Sequence, residues 1–178
     1  PAAPSASDIW AVISKEITGI QLLWEAVNGM YFKADSRPGI EALADDVPTL
    51  YRLMQTAMME SLLMRIARLM DPPGSGRGEG RKPNLSLALL VEQQESLTDV
   101  FKGLNTQWST SALKSVRNQY LSHNDLERSQ SEEHTINIPL TGDDVVTVEN
   151  MVTALREFRI AANREILKST YPDAGWSL

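Results

Sequence analysis

The sequence predicts an all-α protein, a bundle of four or five main helices. Apolar residues recur at alternating spacings of three and four in several long segments, which is typical of amphipathic helices packed on a common core. Only residues 135–139 alternate apolar and polar side chains as a half-buried strand would. The 178 residues, 42% of them hydrophobic, suffice for one domain that folds without disulfides. We expect flexible tails at residues 1–7 and 171–178 and a single helical domain over residues 8–170.

The first and last long helices carry the clearest apolar stripes. Ser7 or Asp8 is a candidate N-cap, because a short side-chain oxygen can accept a backbone N–H at a helix start. The last helix should begin near Thr141, with Asp143 and Asp144 in its first turn, where the helix dipole favours acids. The predicted core positions are Trp10, Ile13, Ile17, Ile20, Trp24, Val27 and Tyr31 in the first helix, and Val145, Val148, Val152, Leu155, Phe158, Ala162 and Ile166 in the last.

A second helical region follows a break at residues 36–39. It should restart near Pro48, because proline fits the first turn of a helix but not its interior. From Leu50 to Met70, apolar residues occupy more than one face, which predicts a central helix touched by several neighbours. Residues 71–83 are rich in glycine and proline and predict a mobile surface loop. No Gly-Lys-Ser/Thr follows the glycines, so the loop is not a phosphate loop.

Shorter helices follow the loop. We expect Asn84 to cap a helix over residues 85–94 and Ser96 to open a second one. A further helix follows Trp108 and should end at residues 124–125, where asparagine and aspartate tolerate the backbone of a helix end.

Composition narrows the classes of function. The chain has no cysteine and two histidines, which excludes disulfides, thiolate zinc sites and a cysteine nucleophile, and we expect neither a metal site nor a cofactor. The net charge of -6 argues against a general nucleic-acid coat, although a local basic site is compatible with it. No apolar run approaches the roughly 20 residues that span a bilayer, and no signal peptide is recognisable. We therefore expect a cytoplasmic protein.

The stretch from Arg117 to His123 carries the most informative polar residues. At about 100° per residue, with Leu113 at 0°, Arg117 falls at about 40° and His123 at about 280°. Both lie on the apolar side of the helix, near Val116 and Tyr120. An unpaired buried charge is strongly destabilising. Arg117 therefore either has an anionic partner inside the fold or faces a cleft or a subunit interface.

Four basic residues are candidate contacts for a polyanion. Lys114 lies early in the helix just described, and residues 112–124 contain no acid. Arg77, Arg81 and Lys82 lie in the glycine-rich loop, where a solvated surface is the simpler interpretation.

Arg117-Asn118, four further residues and His123 together resemble the Arg-polar-x(4)-His signature of the HEPN superfamily. These proteins are small α-helical bundles, many of them ribonucleases of toxin–antitoxin, phage-defence and CRISPR systems. Two flanking segments make the chain similar to bacterial abortive-infection HEPN proteins: Arg68-Leu69-Met70-Asp71-Pro72-Pro73 at the end of a long helix, and Asn84-Leu85-Ser86-Leu87 after a loop. The resemblance extends over residues 50–165 and implies a HEPN-like bundle.

The resemblance further implies metal-independent RNA cleavage at a site shared by two protomers. In such proteins the signature helices of a homodimer meet and bring two arginines and two histidines into one cleft. His123 would then be the general base or acid, Arg117 the phosphate clamp and Asn118 a supporting hydrogen-bonding group. In some HEPN toxins a partner nucleotidyltransferase adds AMP to a tyrosine two residues after the histidine. Asp125 occupies that position here, which argues against that route, although an antitoxin or nucleotidyltransferase partner remains among those implied.

Three functions remain open from the sequence. The first is a homodimeric HEPN ribonuclease, a toxin or phage-defence effector. The second is a non-catalytic HEPN-like bundle that binds a partner protein or nucleotide and keeps Arg117 and His123 as an interface network. The third is an unrelated helical adaptor that uses its methionine-rich helix as a groove and pairs Arg117 with an acid of its own chain.

Overall fold

The chain has an all-α fold, as the sequence predicts. The structure, a computed structural model, describes residues 4–33, 37–75, 82–111, 113–114 and 142–168. The helices in these ranges are α1 (Ala6–Val27), α2 (Arg37–Asp46), α3 (Pro48–Leu69), α4 (Leu87–Gln93), α5 (Thr98–Thr110) and α6 (Gly142–Ile166). A π-helical turn (Asn28–Phe32) extends α1, a 3-10 turn (Glu95–Leu97) precedes α5, and the strands are β1 (Gly74–Ser75) and β2 (Lys82–Pro83). No helix in the described ranges is both long and apolar enough to cross a bilayer.

Helix α1 begins earlier than predicted. Its N-cap is Ser5, not Ser7 or Asp8. The Asp8 N–H donates to the Ser5 hydroxyl at 3.2 Å, and the Ser5 N–H donates to the Asp8 carboxylate at 3.0 Å. This reciprocal pair is a capping box. The acid therefore stabilises the first turn from inside the helix instead of preceding it.

The apolar stripe of α1 forms the centre of the described core. Its predicted positions are buried from Trp10 to Val27, and Tyr31 at the end is half-buried. Helix α1 packs against both α3 and α6. The predicted positions of α6 from Val148 to Ala162 are buried as well, whereas Val145 and Ile166 are half-buried. Burial of each such aliphatic or aromatic side chain stabilises the fold by about 1.5–3 kcal/mol, so the bundle depends on packing more than on helix propensity.

Two polar contacts fix how α1 and α6 lie against each other. The Trp10 indole N–H donates to Asn163 Oδ1 at 3.0 Å, and Arg159 Nη1 donates to Thr18 Oγ1 at 2.7 Å. The later residue of α1, Thr18, thus contacts the earlier residue of α6, Arg159. The two helices are antiparallel neighbours.

Helix α3 is buried only after its first two turns. It starts at Pro48, as predicted, and contributes buried side chains from Thr56 onward. Leu50 and Leu53 are 50% and 46% exposed, so the expectation that this helix is covered on several sides fails for its first two turns. Its described neighbours are α1 and α2. Residues 38–39, which the sequence assigned to a break, lie inside α2, because proline is compatible with a first helical turn.

The glycine-rich loop contains a two-stranded antiparallel ribbon, formed by β1 and β2. Gly74 lies opposite Pro83, and Ser75 opposite Lys82. The sequence predicts a mobile surface loop over residues 71–83 and does not predict these two strands. Strands of two residues are too short to produce an alternating pattern in the sequence.

Asn84 has a different role from the predicted helix cap. Its side-chain amide donates to the Pro72 carbonyl at 3.0 Å, and its side-chain oxygen accepts from the Ser75 hydroxyl at 3.2 Å. The N-cap of α4 is Ser86, whose buried hydroxyl accepts the Leu89 N–H at 3.3 Å. Asn84 instead joins the turn after α3 to the ribbon.

Candidate functional site

The predicted catalytic residues Arg117, Asn118 and His123 lie outside the described residues, as does Asp125. The structure does describe the chain that leads to them. Helix α5 ends at Thr110, and Leu113 and Lys114 are helical again. This described stretch therefore stops at Lys114, three residues before Arg117.

The segment that precedes Arg117, residues 108–114, is anchored in the core. Trp108, which the sequence placed before a new helix, lies inside α5 and is 6% exposed. Ser111 ends α5 in extended conformation, and its backbone N–H and hydroxyl both donate to the Trp108 carbonyl, at 3.2 and 2.8 Å. Leu113 is fully buried, whereas Lys114 is exposed. This burial matches the predicted helical phase, in which Leu113 marks the apolar side and Lys114 the polar side.

Of the four predicted polyanion contacts, the structure describes Lys82 and Lys114. Both are exposed, and neither forms an ion pair with a described residue. Arg77 and Arg81 lie outside the described residues, in the connection between β1 and β2.

A cleft of about 330 Å³ lies beside the ribbon, between the middle of α1, the end of α3 and β2. Arg65 and Arg68 line it from α3, Asp71 from the turn, and Asn84 from the residue after β2. Lys82 lies two residues before Asn84. The charged residues that line the cleft are therefore two arginines and two acids, Glu16 and Asp71, and Lys82 adjoins the lining in sequence.

Arg65 is held in this wall by an ion pair. Its Nη1 lies 2.9 Å from Glu16 Oε2, and the two side chains are 40% and 38% exposed. The guanidinium also lies over Gly19, where a Cβ would come within 2.9 Å of Nη1. The absence of a side chain at Gly19 therefore lets Arg65 cross α1 and reach Glu16. The side chain of Arg68 forms no hydrogen bond or ion pair with a described residue.

Arg65 and Arg68 were missed as candidates because the cleft joins three segments distant in sequence. The signal that was available is the spacing of three between two arginines on α3, which places them on neighbouring positions of one helix face. Within the described ranges, no three His, Asp or Glu side chains cluster in a way that could hold a metal ion.

Comparison with known protein families gives a match. The model of a family described as AbiU2, one of the HEPN families, matches residues 8–174. No curated protein and no solved structure matches the chain. The matched range includes the segment from Arg117 to His123 as well as the ribbon and its cleft.

Proposed function

Because the chain belongs to the AbiU2 family of HEPN proteins, we propose that it is a ribonuclease of abortive infection that cleaves RNA without a metal ion. The observation that carries the proposal is the Arg117–His123 signature inside a family match that spans most of the chain. Supporting it, the described residues before the signature have the burial expected of its helix. Membership in the family excludes the unrelated adaptor.

His123 would move the protons of the reaction. A histidine with its ordinary pKa near 6.5 can both accept and return a proton at neutral pH. It would remove the proton from a ribose 2′-hydroxyl, whose oxygen attacks the adjacent phosphorus while the 5′-oxygen leaves and takes up a proton. The products are a 2′,3′-cyclic phosphate and a free 5′-hydroxyl, and the step consumes no water and needs no redox partner.

Arg117 would hold the phosphate during this displacement. A guanidinium presents parallel N–H donors that match phosphoryl oxygens and stay charged at every physiological pH. Fixed donors aimed at oxygens that gain charge in the transition state lower the barrier more than donors that must first reorient. Asn118 would orient the pair or the substrate by hydrogen bonds.

A homodimer would complete the site. Six residues of helix separate the directions of Arg117 and His123 by about 120°, which is awkward for one small substrate within one chain. A twofold axis beside the signature helices would supply a second copy of each group. Lys114 and the cleft beside the ribbon, with Lys82 and neighbouring Arg77 and Arg81, would contact the RNA backbone away from the cleaved bond. We propose that this activity takes place in the cytoplasm and is controlled by an antitoxin or nucleotidyltransferase partner.

The alternative is a HEPN bundle without activity that binds a partner protein or a nucleotide. Arg117 and His123 would then form a network at the interface with that partner. This function predicts a stable complex and no change in RNA. If only variants of Arg117 and His123 lose RNA cleavage, the ribonuclease is favoured over the bundle without activity.

The test is cleavage of a defined RNA in the presence of EDTA by the wild type and by the Arg117→Ala and His123→Ala variants. We expect each variant to lose at least about a hundredfold in rate, the usual contribution of a general acid–base group. Gln119→Ala, on the polar side of the same helix, is the matched control and should retain activity. A substrate with a 2′-deoxyribose at the cleaved position should resist the wild type. Equal rates for all four proteins would contradict the assignment.

A further inference from the structure

A second groove, of about 410 Å³, runs between α1 and α6. Thr18, Leu22 and Glu25 line it from α1, and α6 contributes Glu149 and Arg156. The lining residues of each helix are three, four or seven positions apart, so they share one face of their helix. The groove is therefore a seam between two packed antiparallel helices.

The two acids of the groove lie at one level along its length. Thr18 contacts Arg159, which sets the two helices level at that point. Seven residues after Thr18, α1 reaches Glu25, and seven residues before Arg159, α6 reaches Val152. Val152 is less than one turn from Glu149. The other contact between the two helices gives Glu25 a level one residue from Glu149. Glu25 and Glu149 therefore form one acidic half of the groove.

Two arginines form the other half. Arg156 follows Glu149 by seven residues, about 10.5 Å along the axis of α6, and Arg159 lies almost one turn further. On the facing side, Leu22 is 52% exposed. It lies four residues beyond the contact of α1 with Arg159, and Arg156 lies three residues before Arg159. Leu22 and Arg156 are therefore nearly level, and the basic half includes an apolar side chain.

The charges of the groove are open to a ligand. The side chains of Glu25, Glu149 and Arg156 are exposed and form no hydrogen bond or ion pair with other described residues. Below them, Trp24 and Val152 line the groove and are 6% and 8% exposed. The groove thus combines an apolar floor with charges of opposite sign at its two halves.

We propose that this groove binds an amphipathic helix of another protein, which carries an acid and a base seven residues apart and an apolar residue between them. A groove between packed helices accepts the apolar face of a further helix. Seven residues make about two turns, so the acid and the base share one face at the same separation as Arg156 and Glu149. The acid meets Arg156, the base meets Glu149, and the apolar residue contacts Leu22.

Charge and spacing together select a helix as the occupant. A nucleic acid is repelled by Glu25 and Glu149, and a wholly basic peptide is repelled by Arg156. A free amino acid is too short to reach both halves of the groove. An extended peptide covers about 10.5 Å in about three residues, and side chains three apart in a strand point to opposite sides. A helix presents both charges to the groove at once.

This inference goes beyond the proposed ribonuclease and does not involve Arg117 or His123. If the groove binds no helix, cleavage of RNA and its loss in the Arg117 and His123 variants keep their meaning. Conversely, a protein without ribonuclease activity can still bind a helix here.

The first test uses two synthetic peptides of identical composition and follows amide chemical shifts of the full chain by NMR. Both are alanine-rich and helical, with one glutamate and a leucine three residues after it. In the probe, lysine follows glutamate by seven residues; in the control it follows by nine, which turns it to the opposite side of the helix. Exchanging glutamate and lysine is no control, because the exchanged peptide fits in the reverse direction.

We expect the probe to give saturable shifts at Leu22, Glu25 and Thr153, and the control to bind about threefold to fivefold more weakly, since it loses one charge pair. The absence of saturable shifts at these residues with millimolar probe would overturn the inference. Equal binding of probe and control would overturn it as well.

The second test reverses one charge of the groove and restores binding from the peptide. Glu149→Lys should weaken the probe on the order of tenfold, because repulsion replaces attraction. The same variant should bind a peptide with glutamate at both positions more tightly than the wild type does, which a folding defect cannot produce. Glu157→Lys, on the same helix, exposed and outside the groove lining, is the matched control and should leave the affinity for both peptides unchanged. A Glu149→Lys protein that prefers the original probe would contradict the proposal.

The third test uses the absence of cysteine from the chain. In Leu22→Cys the introduced thiol should react readily with a maleimide, and the probe should slow this reaction. Val12→Cys, on the same helix and 47% exposed but outside the groove lining, should react at the same rate with and without the probe. A Leu22→Cys thiol that is protected in the folded chain alone would show that the groove is already covered, and would overturn the inference.

Discussion

Gly19 shows how one missing side chain shapes the wall of the cleft. A Cβ on residue 19 would lie 2.9 Å from Nη1 of Arg65. The same Nη1 atom pairs with Glu16. The atom that would have to move is the end of a flexible side chain. Its ion pair is about 40% exposed and thus contributes little to stability.

Gly19→Ala should therefore be nearly neutral in the wild type. Alanine stabilises a helix interior relative to glycine by about 0.5–1 kcal/mol, and displacing Arg65 from Glu16 costs about the same or less. In an Arg65→Ala background the second effect disappears, so the same substitution should raise the free energy of unfolding by about 0.5–1 kcal/mol. Urea denaturation of the four proteins measures this. A Gly19→Ala change that is equally stabilising in both backgrounds would show that the contact with Arg65 has no energetic weight.

Asp8 gives the start of α1 a dependence on pH. The Ser5 hydroxyl and backbone N–H donate to its carboxylate and lower the pKa of Asp8 below its ordinary value of 3.8. A carboxyl whose pKa is lower in the folded state stabilises that state above its unfolded pKa, and the contribution is lost as the pH falls through the folded pKa.

We accordingly expect the first turn of α1 to loosen below about pH 4. The intrinsic rate of amide exchange falls as the pH is lowered from 6 to 3. In the wild type, exchange at residues 8–10 should slow by less than this intrinsic rate, because the first turn loses protection. Asp8→Asn lacks the titrating group and should show only the intrinsic trend. Identical pH profiles for the two proteins would rule out the capping carboxylate as the cause.

At the scale of elements, the ribbon depends on a residue outside its strands. Asn84 joins the Pro72 carbonyl to the Ser75 hydroxyl, and its backbone N–H donates to the Pro73 carbonyl at 3.1 Å. Two-residue strands are marginal by themselves in water. The side chain of Asn84 therefore supplies much of what holds the ribbon beside α3.

Asn84→Ala should free the ribbon without unfolding the bundle. We expect a loss of stability of about 1 kcal/mol, since the hydrogen bonds are exposed, together with faster amide exchange at Ser75 and Asn84. Ser86→Ala is the matched control: it should lower stability by about 0.5–2 kcal/mol through loss of the α4 cap but leave exchange in the ribbon unchanged. Unaltered exchange at Ser75 in Asn84→Ala would contradict this role.

How much of each element could be predicted from the sequence depended on whether its determinants were local. Helices α1 and α6 were predictable because their stripes run through many turns, from Trp10 to Val27 and from Val148 to Ala162. The ribbon was not, because its pairing is too short for a pattern and its anchor, Asn84, meets partners nine and twelve residues away. The exposure of Leu50 and Leu53 was missed because an apolar pattern does not reveal which faces find neighbours.

The candidate site divides in the same way. The helical phase before the signature was predictable, and the burial of Leu113 and exposure of Lys114 confirm it. The cleft containing Arg65 and Arg68 depends on the meeting of α1, α3 and the ribbon, which no local pattern encodes. The roles of Arg117, Asn118 and His123 stay predictions.

At the scale of the whole molecule, an acidic chain is proposed to act on a polyanion. The net charge of -6 opposes RNA at long range, so binding must rely on local fields around basic side chains. Among the described residues, Arg68 in the cleft and the exposed Lys82 and Lys114 are basic side chains of this kind. A twofold assembly would double these surfaces and bring each Arg117 near a second His123.

Complementation between inactive subunits tests this composite site most directly. Arg117→Ala and His123→Ala proteins are unfolded together and refolded at equal amounts, and RNA cleavage is measured in EDTA. We predict that the mixture cleaves RNA clearly faster than either variant alone, because half of the dimers are mixed and the shared cleft of each mixed dimer contains one intact Arg117 and one intact His123. Arg117→Ala refolded with the Arg117→Ala/His123→Ala double variant should stay inactive. A mixture that forms mixed dimers and remains as inactive as its components would contradict a site built by two subunits.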